Sequence, residues 1–131
     1  MIPKILSVIA GLAVAILIFL VAETINSSLH PIPSTLDVKD EVAVKAFYEN
    51  QPLSLWILVL TGWFTGSFLC GLIIQLISRD PRKILPVIAG SILTVSAIIN
   101  FFSIPHPVWF IVVGLLLFIP AVLLGHQSCK K

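Results

Sequence analysis

The stretch "ETINSSLH" places Glu23, Asn26, Ser27 and His30 at three-, four- and seven-residue spacings, which on an α-helix is one face. Farther along, "INFFSIPHP" supplies Asn100 and His106. A carboxylate with two imidazoles is a donor set for zinc or another transition metal, and the same groups can relay a proton. Glu23, His30 and His106 are therefore the candidate metal ligands, and Asn26 and Asn100 extend them into a candidate polar site. The same residues also have an ordinary use. Glu23 lies near the end of an apolar run, where a carboxylate reaches water, and both histidines adjoin prolines in turns that need polar groups. The chain has no phosphate loop, no paired catalytic carboxylates and no nucleophile beside a base. A non-enzymatic protein with no cofactor is expected.

The elements that must position these residues follow from composition. Of 131 residues, 58% are hydrophobic and 11% charged, and the mean hydropathy is +1.10. A soluble domain this small could not bury so much apolar surface, so lipid must serve as its solvent. About 20 apolar residues are needed to cross about 30 Å of hydrocarbon. Four stretches qualify, near 5–26, 53–78, 84–102 and 108–126, and they leave no room for a separate soluble domain. The expected fold is an all-α transmembrane four-helix bundle forming one integral membrane domain over 1–131. The first apolar run is longer than a signal-peptide core and no small-x-small site follows it, so it is read as a retained span.

Six of the eight cations, Lys4, Arg79, Arg82, Lys83, Lys130 and Lys131, fall on one side of these spans. By the positive-inside rule both termini are then cytoplasmic, while the 27–52 connection and the "SIPHP" turn face outward. Charge that flanks a membrane in this way does not indicate nucleic acid.

"KILSVIAG" at 4–11 returns as "KILPVIAG" at 83–90, matching at seven of eight positions. Both following spans end in I-N-x4-P-x-P, and Pro52 and Pro105 each precede a tryptophan by four residues. These matches suggest two tandem helical hairpins, over 4–75 and 83–127, related by a pseudo-twofold axis along the membrane normal. The first hairpin carries five more residues between its matched segments, which are expected as extra length in its first helix.

Helices in lipid associate by close packing, so small residues mark seams. Ser7, Gly11 and Ala15 repeat every four residues; Gly62 and Gly66 are continued by Cys70, with Ser67 and Gly71 beside them; Gly90 pairs with Thr94. Either packing within the chain or a seam with a second copy would use them. Pro120 should kink the last span. In the outer connection Asp37 is expected to cap a short helix over 37–50, with Val38, Val42, Ala46 and Phe47 as its apolar stripe and Val44 out of pattern. Trp56 and Trp109 fit an outer aromatic belt, whereas Trp63 is deeper. "NSS" at Asn26 matches a glycosylation acceptor only in a eukaryotic secretory setting, and Cys70 and Cys129 lie too far apart for a disulfide. Cys129 beside two lysines is a plain tail thiol or a palmitoylation site.

The segments "GLAVAILIFLVAETIN", "LTGWFTGSFLCG" and "IINFFSIPHPVWF", in this order around a Pro-containing loop, resemble a family of small uncharacterised bacterial four-span proteins. The resemblance implies a bacterial inner membrane and assigns no catalytic residue. The expected partners are the lipid bilayer and either another membrane protein or a second copy. Function is expected to be that of a scaffold, accessory subunit or small oligomer; the alternative is a small carrier or sensor using the outer polar site.

Overall fold

The computed structural model describes residues 2–31, 33–37, 39–103 and 106–128; Val38, Pro105, Cys129, Lys130 and Lys131 lie outside these. Five helices follow one another, α1 (Ile2–Leu29), α2 (Glu41–Glu49), α3 (Leu53–Ser78), α4 (Ile84–Ser103) and α5 (Val108–Ser128), and there is no strand among the described residues. All but α2 are long and apolar enough to cross a membrane. They pack as a bundle, which points to a membrane-embedded protein.

The small residues set how closely these helices approach. On α1 the buried positions are Ser7, Gly11 and Ala15. A Cβ on Gly11 would lie 2.8 Å from the Cys70 carbonyl oxygen, and one on Gly66 would lie 2.6 Å from the Phe19 ring and 3.0 Å from the Ala15 carbonyl oxygen. Gly62 abuts Ala22. Contacts on α1 thus climb as those on α3 descend, so the two helices are antiparallel and their seam lies within one chain. Gly90 does the same for α4 against α5, where a Cβ would lie 3.0 Å from Ile119.

The two central helices, α3 and α5, run parallel and meet through glycine. Gly71 lies against the Val122 carbonyl with the His126 amide beside it, and Gly125 lies against the Phe68 carbonyl with the Leu72 amide beside it. Exchanging the helices maps one contact onto the other. On the flanks, α1 covers α3 and α4 covers α5. The correspondence is incomplete, because α1 has 28 residues and α4 has 20, and α4 also reaches α3.

Helix ends show the local chemistry. Arg79 takes the left-handed conformation at φ 54°, and its amide closes α3 onto the Gln75 carbonyl at 2.9 Å. Pro86 is accommodated in the first turn of α4, and α5 continues through Pro120. The cap of α2 differs from the sequence expectation: Asp40, not Asp37, accepts from the amides of Val42 and Ala43, while Asp37 accepts from the Lys39 amide in the preceding turn. With the start moved by three residues, the packed face also rotates. Ala43, Val44, Phe47 and Tyr48 are half-buried, whereas Val42 is 79% exposed.

Candidate functional site

Because α1 continues to Leu29, Glu23, Asn26 and Ser27 share a helix face, and His30, just past the helix end, is tied back to it by its amide on the Asn26 carbonyl at 2.7 Å. Opposite them α4 presents Ser96 and Asn100, while α3 contributes Trp56 and Trp63 from behind. Phe47 and Tyr48 of α2 lie across the top. Together they enclose a cleft of about 340 Å³, and all five residues singled out for a site, Glu23, Asn26, His30, Asn100 and His106, line it. Its polar groups gather where α1 ends. Deeper along the helices the lining becomes Phe19, Leu93, Ala97 and Phe118. From His30 to Phe19 the helical rise gives a depth of about 16 Å.

An aromatic ladder runs down one wall. Tyr48 stands 6.2 Å from Trp56, Trp56 stands 5.0 Å from Phe110, and Phe110 stands 5.1 Å from Trp63. Trp63 is 5.2 Å from Phe118, which meets Phe19 edge-on at 6.3 Å. Ring pairs at these separations hold one another in orientation, which makes the wall stiff. The Tyr48 phenol is pushed up from its ordinary pKa, first by burial and then by the negative charge of Glu23.

Sharing a cleft does not make Glu23, His30 and His106 a metal centre. His30 Nδ1 donates to Asn26 Oδ1 at 3.0 Å, and its Nε2 faces the Ser54 hydroxyl at 3.4 Å. His106 is held among rings, stacked 5.1 Å from Phe110 and within 5.5 Å of Trp56. No three His, Cys, Asp or Glu side chains converge as ligands among the described residues. Zinc needs donors about 2.0 to 2.2 Å from one point, and side chains already engaged in different directions do not supply that.

At the other end of the bundle lies a polar cluster that the sequence reading treated only as membrane-flanking charge. Asp80 accepts from the Arg82 guanidinium at 3.0 and 3.1 Å and from the Arg82 amide at 2.9 Å, and Lys4 Nζ reaches it at 3.3 Å. Its backbone carbonyl accepts from Nε2 of the buried His126 at 3.0 Å. One residue thus ties α1, the α3 to α4 turn and α5. The only signal for it was "RDPRK", where a single acid sits among three cations.

Arg82, with Lys4 adding, holds the Asp80 carboxyl well below the usual carboxylate range. A lowered folded-state pKa contributes stability that is present above the unfolded value, near 4, and is lost as pH falls through the folded one. Melting curves should therefore show the full gap between wild type and Asp80→Asn at about pH 6, and a narrowing gap below about pH 4. A gap independent of pH would mean that the charge of Asp80 contributes nothing.

Comparison with known protein families, with curated proteins and with solved structures finds no match. Fold and site define the class on their own: a helical protein with four potential membrane spans and a polar-mouthed cleft at the α2 end.

Proposed function

We propose that this protein is a small-molecule carrier or sensor of the membrane and not an enzyme. The carrying observation is the cleft, polar at its mouth and aromatic along its depth, between α1 and α4. Sites for small ligands are concave and mostly apolar, with a few placed polar groups, and typically span about 300 to 1,000 Å³. A scaffold, accessory subunit or small oligomer would need no such cavity.

The test is native mass spectrometry of the protein isolated in membrane discs. Wild type is expected to carry an added mass of small-molecule size, and Ser96→Trp, which fills the cleft from an exposed lining position, is expected to lose it. The same adducts on both would count against a ligand in the cleft.

The distribution of Lys and Arg supports reading the cleft as outward-facing, with both termini in the cytoplasm. The resemblance to bacterial four-span proteins supports an inner membrane. In a background lacking Cys70 and Cys129, Ser34→Cys should react with an impermeant maleimide from outside and Ser128→Cys only after permeabilisation. Asp80→Cys is unsuited to this purpose because the side chain is buried and bonded. Labelling of Ser128→Cys in intact cells would overturn the orientation. The reciprocal Gly71 and Gly125 contact supports reading the two hairpins as copies of one unit.

A further inference from the structure

We infer that the cleft takes a monocation carried on an apolar body, its charge held by Glu23 and by the aromatic wall that Tyr48 and Trp56 begin, and its body laid against Trp63 and Phe118. This rests on the reading of the cleft as a small-molecule site. Three observations select the sign and the shape of the ligand.

The first is charge. Glu23 is the one Asp, Glu, Lys or Arg among the described residues lining the cleft, and it is exposed, one helical turn above Phe19 on α1. A carboxylate there keeps its water until a ligand arrives, and the low-dielectric walls then focus its field into the cleft. On the cleft's roof Lys45 lines a neighbouring depression, which shares Tyr48, Trp56 and His106 with the cleft, and it is paired there with Glu49 at 4.0 Å. An anion entering the cleft would meet a carboxylate and the negative faces of aromatic rings, beside His30, already bonded to Asn26, and His106, stacked on Phe110.

The second is the aromatic wall. A cation within about 6 Å of a ring centre is attracted by its quadrupole, and the effect strengthens where water is displaced. Tyr48, Trp56 and Trp63 line the cleft in vertical succession, so a cation has a ring face beside it at the mouth and its body has one below. An ammonium head can also donate to the amide oxygens of Asn26 and Asn100, which line the same cleft.

The third is the gradient. The mouth is polar and the floor is Phe19, Leu93 and Phe118, so a ligand polar at one end only fits in a single orientation, head outward. The volume, about 340 Å³, admits one short chain or ring system. Either a soluble amphiphilic amine or the amine head of a lipid whose tails stay in the bilayer presents this chemistry.

The experiment uses the full chain in nanodiscs of uncharged galactolipid, with empty discs to subtract partitioning. Three probes of similar size are compared by equilibrium dialysis: phenylbutyltrimethylammonium, phenylbutanol and phenylhexanoate. The cation is expected to bind about tenfold tighter than the alcohol, a margin within reach of one carboxylate and one cation–π contact, and the anion is expected not to bind saturably. Glu23→Gln should erase that margin and leave alcohol binding intact, and Tyr48→Leu should shrink it. Trp63→Ala should weaken cation and alcohol together.

Equal affinity for cation and alcohol, or preference for the anion, would overturn the inference while leaving the cleft a small-molecule site. Failure of all three probes to bind saturably would overturn it as well, with the adduct experiment on Ser96→Trp still deciding whether the cleft holds a ligand. Replacing part of the galactolipid by phosphatidylethanolamine then separates the two sources. A weakened cation signal identifies a lipid amine as occupant and an unchanged one identifies a soluble amine, and both outcomes retain the cation chemistry.

Discussion

Gly125→Val is expected to abolish a stable bundle. A side chain at this position meets the Phe68 carbonyl, with the carbonyl carbon 2.7 Å and the Leu72 amide nitrogen 3.1 Å from its Cβ. These are backbone atoms in the middle of α3, and no rotamer change can move them aside. The helices must separate, and in lipid their dispersion contacts have no hydrophobic driving force to replace them. The loss should exceed the ~1 to 3 kcal/mol of ordinary overpacking and approach the whole stability of a small domain. Gly71→Val should behave alike, since its Cβ meets the Val122 carbonyl and lies 2.8 Å from the His126 amide nitrogen. Gly90→Ala supplies the contrast. Its Cβ would lie 3.0 Å from Ile119, partly against a side chain on the less crowded α4 to α5 seam, so a loss of only about 1 kcal/mol is expected. Melting in mild detergent, with the monodisperse fraction, reads all three. A Gly125→Val protein melting near wild type would mean that α3 and α5 do not meet through these glycines.

These seams show what a sequence can and cannot convey about a helical bundle. Small residues at four-residue spacing announce close approach, and Ser7, Gly11, Ala15, Gly62 and Gly66 lie where that rule places them. The partner of each seam is a property of the assembled bundle. Gly71 was legible as a small residue on an adjacent face, whereas its reciprocity with Gly125 needed the parallel pairing of α3 and α5. Likewise α2 was legible as a helix but not in phase, because Asp37 and Asp40 are both able to cap. The choice between them turns on which start lets Tyr48 and Phe47 pack over the cleft.

The candidate site was legible for a related reason. Glu23, Asn26 and His30 are close in sequence, and helical periodicity alone puts them on one face once α1 runs far enough. That Asn100 and His106 join them follows from short connections that return the chain to the same end. Periodicity carries no information about where a side chain spends its hydrogen bonds: His30 is bonded to Asn26 and His106 is stacked on Phe110, so Glu23, His30 and His106 share the cleft without converging on one point. The ladder of rings was invisible for the complementary reason. Its members alternate between α2, α3, α5 and α1, and no spacing within one segment encodes such an order.

Trp63 is the rung on which stability and the cleft depend together. Its ring contacts Phe101 at 5.9 Å, Phe110 at 5.1 Å and Phe118 at 5.2 Å, and Gly114 provides the room for it. A Cβ on Gly114 would lie 3.0 Å from Trp63 Cζ3 and 3.2 Å from Phe101 Cζ. Removing the indole by Trp63→Ala would cost ~3 to 5 kcal/mol in a water-soluble core. In lipid the transfer component largely cancels, because the unfolded chain also keeps its rings out of water, and about 2 kcal/mol of lost packing remains. Gly114→Ala should also destabilise, by pressing the indole toward the cleft. The two positions share one volume, so Trp63→Phe and Gly114→Ala should couple: each alone loses stability, and the double variant should lose less than the sum by about 1 kcal/mol. A double-mutant cycle in denaturant-titrated micelles measures this directly. Strict additivity would show that Gly114 does not make the space for Trp63, and the wall of the cleft would then need another support.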